Sequence, residues 1–210
     1  MRKKLRNLKK KLDIIIFLPD FVDSPHGKGW LLFNDFSEWV EETLNFLINR
    51  NLSIGVKPHP MSRYSSLIYE EKLKNKYKDK IIWLNPGENN YNLIDQNIKF
   101  IVSPSGSLTY ACSLLKKIVI NCGRNPYMSF NYSYTPKSKK EYFKLLKKGI
   151  NNKLKITKNY KFKVLASVYM FFLHQFDYFK TVSREIDLFQ FYNFEKPSNI
   201  LNKIIKYKNI

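Results

Sequence analysis

The sequence predicts an α/β fold: a single Rossmann-like parallel sheet with flanking helices, followed by a helical C-terminal region. Three observations carry this. Short β-branched runs recur between residues 13 and 120, helical periodicities separate them, and the runs are continuously apolar rather than alternating. Continuous apolar runs belong to strands covered on both faces, which is the situation of a parallel sheet.

The elements follow in order. Residues 13–18 read as a buried strand closed by Pro19, and residues 19–29 as a loop rich in turn formers and ionisable groups. Residues 30–49 carry Leu32, Phe36, Trp39, Val40, Leu44, Phe46 and Leu47 at helical spacing, with Asn51 as the stop. A second strand spans 52–57 and ends at Pro58; a polar, Tyr-containing helix spans 65–78. Residues 81–84 form a third strand closed by Asn85-Pro86-Gly87, and 91–96 one or two helical turns. Strands at 100–102 and 118–120 flank a helix over 107–116, and clear helical patterns return at 141–154 and 160–179. The organisation is a basic N-terminal segment or link (1–12), a Rossmann-like domain (13–138) and a helical region (139–210) packing on it.

A chain of 210 residues, 44% hydrophobic, is long enough to bury a sizeable core and too apolar to be wholly disordered. Its most apolar segment, 164–173, stops at His174 and is too short to span a bilayer. Residues 1–12 are basic without the apolar run and small-residue site of a secretion signal. Cys112 and Cys122 are too few for a disulfide framework, and their spacing is wrong for a metal knuckle. A reduced, cytoplasmic protein is expected. The net charge of +20 invites a nucleic-acid reading, because clustered Lys neutralises phosphate. Yet Lys, Asn, Ile, Tyr and Phe are abundant together, as an A/T-rich codon bias produces. The charge therefore reads chiefly as that bias plus weak attraction to anionic lipid or nucleotide, and nucleic acid is the disfavoured partner.

In a parallel α/β sheet, ligands bind beyond the carboxyl ends of the strands. Three strands end there in chemically active loops: Asp20, Asp23, His26, Gly27 and Lys28 after the first; Lys57, His59 and Pro60 after the second; Ser103, Ser105, Gly106 and Ser107 after the fourth. Gly106 lets backbone approach a ligand, the next helix offers free N–H groups, and the Ser hydroxyls can donate to phosphate. The competing reading is that Ser105 or Ser107 merely caps that helix. Lys57-Pro58-His59-Pro60 fixes an imidazole between two prolines beside a cation, which suits a donor to a diphosphate or monophosphate. The Asp20/Asp23/His26 loop admits two readings: a turn whose side chains bond nearby backbone, or a catalytic cleft carboxylate that acts as base or positions an acceptor. No HxxxH or CxxC spacing, Walker loop, dinucleotide fingerprint or GxSxG elbow occurs, so no metal, cofactor or serine nucleophile is expected.

With these residues in view, the chain resembles the carboxyl-terminal, donor-binding half of capsule-polysaccharide-type glycosyltransferases of GT-B architecture. The resemblance covers residues 14–145 through the Pro19–His26 loop, Phe33-Asn34-Asp35-Phe36 with Trp39, Val56-Lys57-Pro58-His59-Pro60, Val102-Ser103-Pro104-Ser105-Gly106-Ser107, Asn125-Pro126-Tyr127 and Tyr134-Thr135-Pro136. The His-Pro pair and Ser-rich loop are also similar to bacterial sialyl- and Kdo-transferases. That likeness implies that His59, Pro60, Ser105 and Ser107 bind the phosphate of a nucleotide-sugar, with CMP slightly ahead of UDP; Thr109 and Tyr127 join the binding set on the same ground. Two departures stand out: Ala111 occupies the place of a Glu that holds donor hydroxyls, and Lys116-Lys117-Ile118 replaces a Gly-Lys-Pro turn.

GT-B enzymes close a cleft between two Rossmann-like domains, and the likeness covers one. It implies a separate chain supplying the acceptor half, or a truncated or degenerate product. The implied partners are a nucleotide-sugar donor and a polysaccharide or lipid-linked acceptor. The alternatives are a non-catalytic partner subunit and a basic nucleic-acid binder. Phe171, Phe172, Phe176, Tyr178 and Phe179 read as core at helical spacing, with peripheral inner-membrane contact as the second reading.

Overall fold

The structure, a computed structural model, describes residues 11–23, 30–94, 97–106, 108–123 and 130–167. Five parallel strands form one sheet: β1 (Ile14–Phe17), β2 (Ile54–Lys57), β3 (Ile82–Trp83), β4 (Phe100–Ser103) and β5 (Val119–Asn121), in the order β3-β2-β1-β4-β5. β1 is central because its three isoleucines need cover on every side; all three are fully buried. It pairs Ile16 with Val56 on one flank and with Val102 on the other.

Successive side chains of a strand point to opposite faces, so the sheet builds two cores. Ile14, Ile16, Val56, Phe100 and Val102 pack beneath helices α1 (Phe36–Ile48), α2 (Tyr64–Tyr77) and α5 (Lys139–Ile150). Ile15, Phe17, Ile101 and Val119 pack against α3 (Asn90–Ile94) and α4 (Leu108–Leu114). The result is a sheet with helices on both faces, as the continuous apolar runs require.

α1 begins at Phe36 rather than Trp30. Asp35 caps it, its Oδ1 accepting the Glu38 N–H at 2.7 Å, and Glu38 reaches back to the Asn34 N–H at 2.6 Å. The residues before it form a bridge and a bent segment instead: the Leu32 N–H donates to the Cys122 carbonyl, and Leu31 bridges Gly123. Their apolar character serves core contact, with Leu31 and Phe33 both buried.

α5 is part of the main core. Tyr142, Leu145 and Leu146 are buried in it, and the Tyr142 hydroxyl joins the Trp39 indole N–H (3.0 Å) and the Thr43 hydroxyl (2.8 Å) of α1. Gly149 lets α5 lie close over β4, since a Cβ there would sit 2.7 Å from the Phe100 ring. A further helix runs over 160–167, the start of the predicted 160–179 segment. The C-terminal aromatics Phe171, Phe172, Phe176, Tyr178 and Phe179 lie outside the described residues. Among the described residues no helix is long and apolar enough to cross a membrane.

Candidate functional site

β1 stands between β2 and β4, so the chain leaves it in one direction toward β2 and β3 and later returns on the other side to β4 and β5. Such a reversal opens a crevice at the carboxyl ends of the two strands that part there. A cleft of about 800 Å³ lies at that point, lined by residues from the ends of β1, β2 and β4.

The β2 end supplies Lys57 and His59. Lys57 is 2% exposed, and its Nζ donates to the Pro86 carbonyl at 2.8 Å, tying the loop after β3 to β2. Burial pushes its pKa down, with the Glu88 carboxylate opposing. His59 lines the cleft, and its Nδ1 accepts the Met61 N–H at 3.2 Å. That bond fixes the tautomer: the neutral ring carries its hydrogen on Nε2, which leaves Nε2–H as the donor. Pro60 lines the cleft and is exposed.

The β4 end supplies the Ser103-Pro104-Ser105-Gly106 turn. Ser103 is buried, its hydroxyl donating to the Ser105 carbonyl at 3.4 Å. Gly106 has φ of 114°, a conformation side-chain-bearing residues rarely adopt. Ser103, Ser105 and Gly106 all line the cleft. Thr109 does not join them: it is fully buried and donates to the Asn121 side chain at 3.1 Å, because one turn of α4 carries it toward β5. Ala111 lines the cleft, so that position of α4 offers no side-chain acceptor. Ser107, Tyr127, His26, Gly27 and Lys28 lie outside the described residues.

The β1 end supplies Asp20 and Asp23, and here α2 intervenes. Asp20 is 5% exposed; it accepts from the Ser66 hydroxyl and, at 2.6 Å, from Arg63 Nε. Burial alone would raise its pKa, but the Ser66 and Arg63 hydrogen bonds outweigh it and hold the carboxyl below its ordinary value. Asp23 is exposed, pairs with the other side of the Arg63 guanidinium, and its N–H closes a turn onto the Asp20 carbonyl. The loop thus has the character of a turn, and its buried carboxylate is ionised and engaged.

The sequence reading did not single out Arg63, Ser66 or Glu70. Glu70 is 5% exposed beneath the His59 loop, where the Ser62 hydroxyl donates to the Glu70 carboxyl at 2.5 Å and its oxygen lies 3.1 Å from the His59 carbonyl. Burial raises the Glu70 pKa, the Ser62 bond opposes, and neighbouring Asp20 raises it further while His59 lowers it. Ser66 and Glu70 are spaced four apart within α2, which puts them on one helical face; that spacing was the available signal. Among the described residues no group of three or more His, Cys, Asp or Glu is arranged to hold a metal ion. No protein-family model, curated protein or solved structure matches the chain significantly.

Proposed function

We propose that the chain is the donor-binding half of a glycosyltransferase of capsule or other surface-polysaccharide synthesis, holding a nucleotide-activated sugar, CMP-linked first among candidates, by its phosphate. The observation that supports this is the meeting of Lys57, His59 and the Ser103–Gly106 turn in one cleft at the reversal point of the sheet. A buried ammonium, an Nε2–H donor and a glycine turn are groups that stabilise charge growing on a departing phosphate. They are fixed in place before the ligand arrives, so little reorganisation opposes the reaction. The chemistry uses no cofactor. Calorimetric titration with CMP, UDP and CDP tests the reading: binding of at least one supports it, and a folded protein that binds none ends it.

A second reading, a non-catalytic partner subunit, is favoured by the state of Asp20. A carboxylate held ionised by Arg63 and Ser66 is a poor proton acceptor, and Ala111 leaves the cleft face of α4 without an acceptor. This reading predicts nucleotide binding without turnover until a chain carrying the acceptor half is added.

A further inference from the structure

The positive charge is not spread evenly along the chain. Between residues 11 and 123, thirteen Lys and Arg stand against twelve Asp and Glu, so this stretch is nearly neutral. Residues 130–167 carry eleven Lys and a single carboxylate, Glu141. A codon bias acts along the whole chain and does not by itself produce this partition.

The fold lays these cations on an outer face. α5 turns Tyr142, Leu145, Leu146 and Gly149 into the core, which leaves Lys140, Lys144, Lys147 and Lys148 exposed on its opposite side. Beyond α5, Lys153, Lys155, Lys158 and Lys161 are exposed as well. That segment is pinned: the Tyr134 hydroxyl donates to the Lys155 carbonyl at 2.8 Å, and the Thr157 hydroxyl donates to the Asn131 carbonyl at 2.8 Å. The α1 carboxylates that reach α5, Glu38 and Glu42, are both bound by Lys139. Among the described residues none of the eight exposed lysines forms an ion pair.

Large apolar side chains stand exposed among these lysines: Ile156 at 41%, Phe162 at 37% and Leu165 at 58%. Phe162 and Leu165 are three apart on the helix over 160–167, so they share a side with each other. A face that only had to stay solvated needs the lysines and not these three. A nucleic acid would use the cations and leave the aliphatic side chains Ile156 and Leu165 without a partner. An anionic bilayer takes both, cations at the headgroups and apolar side chains at the acyl boundary.

We propose that the face running from Lys140 to Leu165 docks the chain on the surface of an anionic lipid bilayer. Its lysines meet the headgroup phosphates, and Ile156, Phe162 and Leu165 enter the interface. None of these residues lines the cleft, so the inference is independent of what the cleft binds.

The test is flotation of the full chain with vesicles of phosphatidylcholine alone and of an equal mixture with phosphatidylglycerol. Residues 1–10 carry six further Lys and Arg, so the face is assigned by comparing variants. One lysine near an anionic leaflet contributes about fivefold in affinity, so Lys144→Gln/Lys158→Gln/Lys161→Gln should lose about a hundredfold on the mixed vesicles. Lys72→Gln/Lys78→Gln/Lys80→Gln removes the same charge from α2 and the turn after it, and should lose less than about threefold. Phe162→Ser/Leu165→Ser should abolish the part of the binding that survives high salt. All three variants should melt with wild type. No binding to the mixed vesicles, equal binding to phosphatidylcholine alone, or equal losses in the two lysine variants would each overturn the proposal. So would binding to a DNA duplex, lost in the first lysine variant, without binding to the mixed vesicles, because the face would then serve nucleic acid.

Discussion

Replacing Tyr142 by Phe removes one oxygen from the contact between α1 and α5, and the cost can be worked from its surroundings. Trp39, Thr43 and Tyr142 are all fully buried, and the Tyr hydroxyl is the partner of both the indole N–H and the Thr hydroxyl. In the variant the indole N–H stays buried with no acceptor, which costs about 1–3 kcal/mol. The Thr43 hydroxyl can turn to the carbonyl one helical turn earlier, so its loss adds at most about 1 kcal/mol. The ring stays and keeps its edge contacts with Phe33 and Phe143 at 5.5 and 5.3 Å, so packing changes little. The expected total is about 1–4 kcal/mol, or a fall in Tm of about 2–16 °C for a chain of this size. Urea unfolding followed by tryptophan fluorescence measures it, with an unchanged m-value expected. Thr43→Val and the double variant complete a cycle, and coupling between the two positions is expected. A Tyr142→Phe protein within about 0.5 kcal/mol of wild type would refute the reasoning, because α5 would then not be docked through this network.

Glu70→Gln should stabilise the protein at neutral pH. The folded-state pKa of Glu70 is raised by burial, so ionising it costs stability as pH climbs from the unfolded value, about 4.3, through the folded one. The variant should match wild type near pH 4 and exceed it at pH 8, measured as urea midpoints; a constant difference would contradict the sign. Gly106→Ala meets no steric obstacle, but φ of 114° should cost about 1–3 kcal/mol and weaken nucleotide binding. Both thiols are buried, with Cys112 pushed up to about 12 and Cys122 also raised, so neither should react with a disulfide reagent at pH 8 until urea unfolds the chain. Prompt reaction of the native protein would contradict that burial.

The sheet was legible because its strands are continuous β-branched runs punctuated by Pro19, Pro58 and the Asn85-Pro86-Gly87 turn, a local signal that tertiary packing did not override. The start of α1 was harder. Leu32 falls on helical spacing, while Asp35 and Glu38 carry the capping pattern that in fact sets the boundary. In the site, Lys57, His59 and Gly106 were readable as polar or glycine residues directly after strands. Ser66 and Glu70 were not, because a polar pair on α2 has the same sequence signature whether it faces water or a buried carboxylate, and Arg63, just before the helix, reads as one more exposed cation. Only the sheet edge, which brings Asp20 against the first turns of α2, turns that pair inward. Thr109 illustrates the reverse error: near the glycine turn in sequence, it is rotated by α4 onto Asn121.

The central claim is that the cleft at the β1–β4 parting binds a nucleotide phosphate. Its most direct test is a titration of the amide-labelled chain with CMP, followed residue by residue in nitrogen–proton correlation spectra. The account predicts saturable shifts at the amides of His59, Ser105 and Gly106, with α5 unmoved. Shifts spread over the Lys-rich surface of α5, or none at saturating CMP, UDP and CDP, would contradict it.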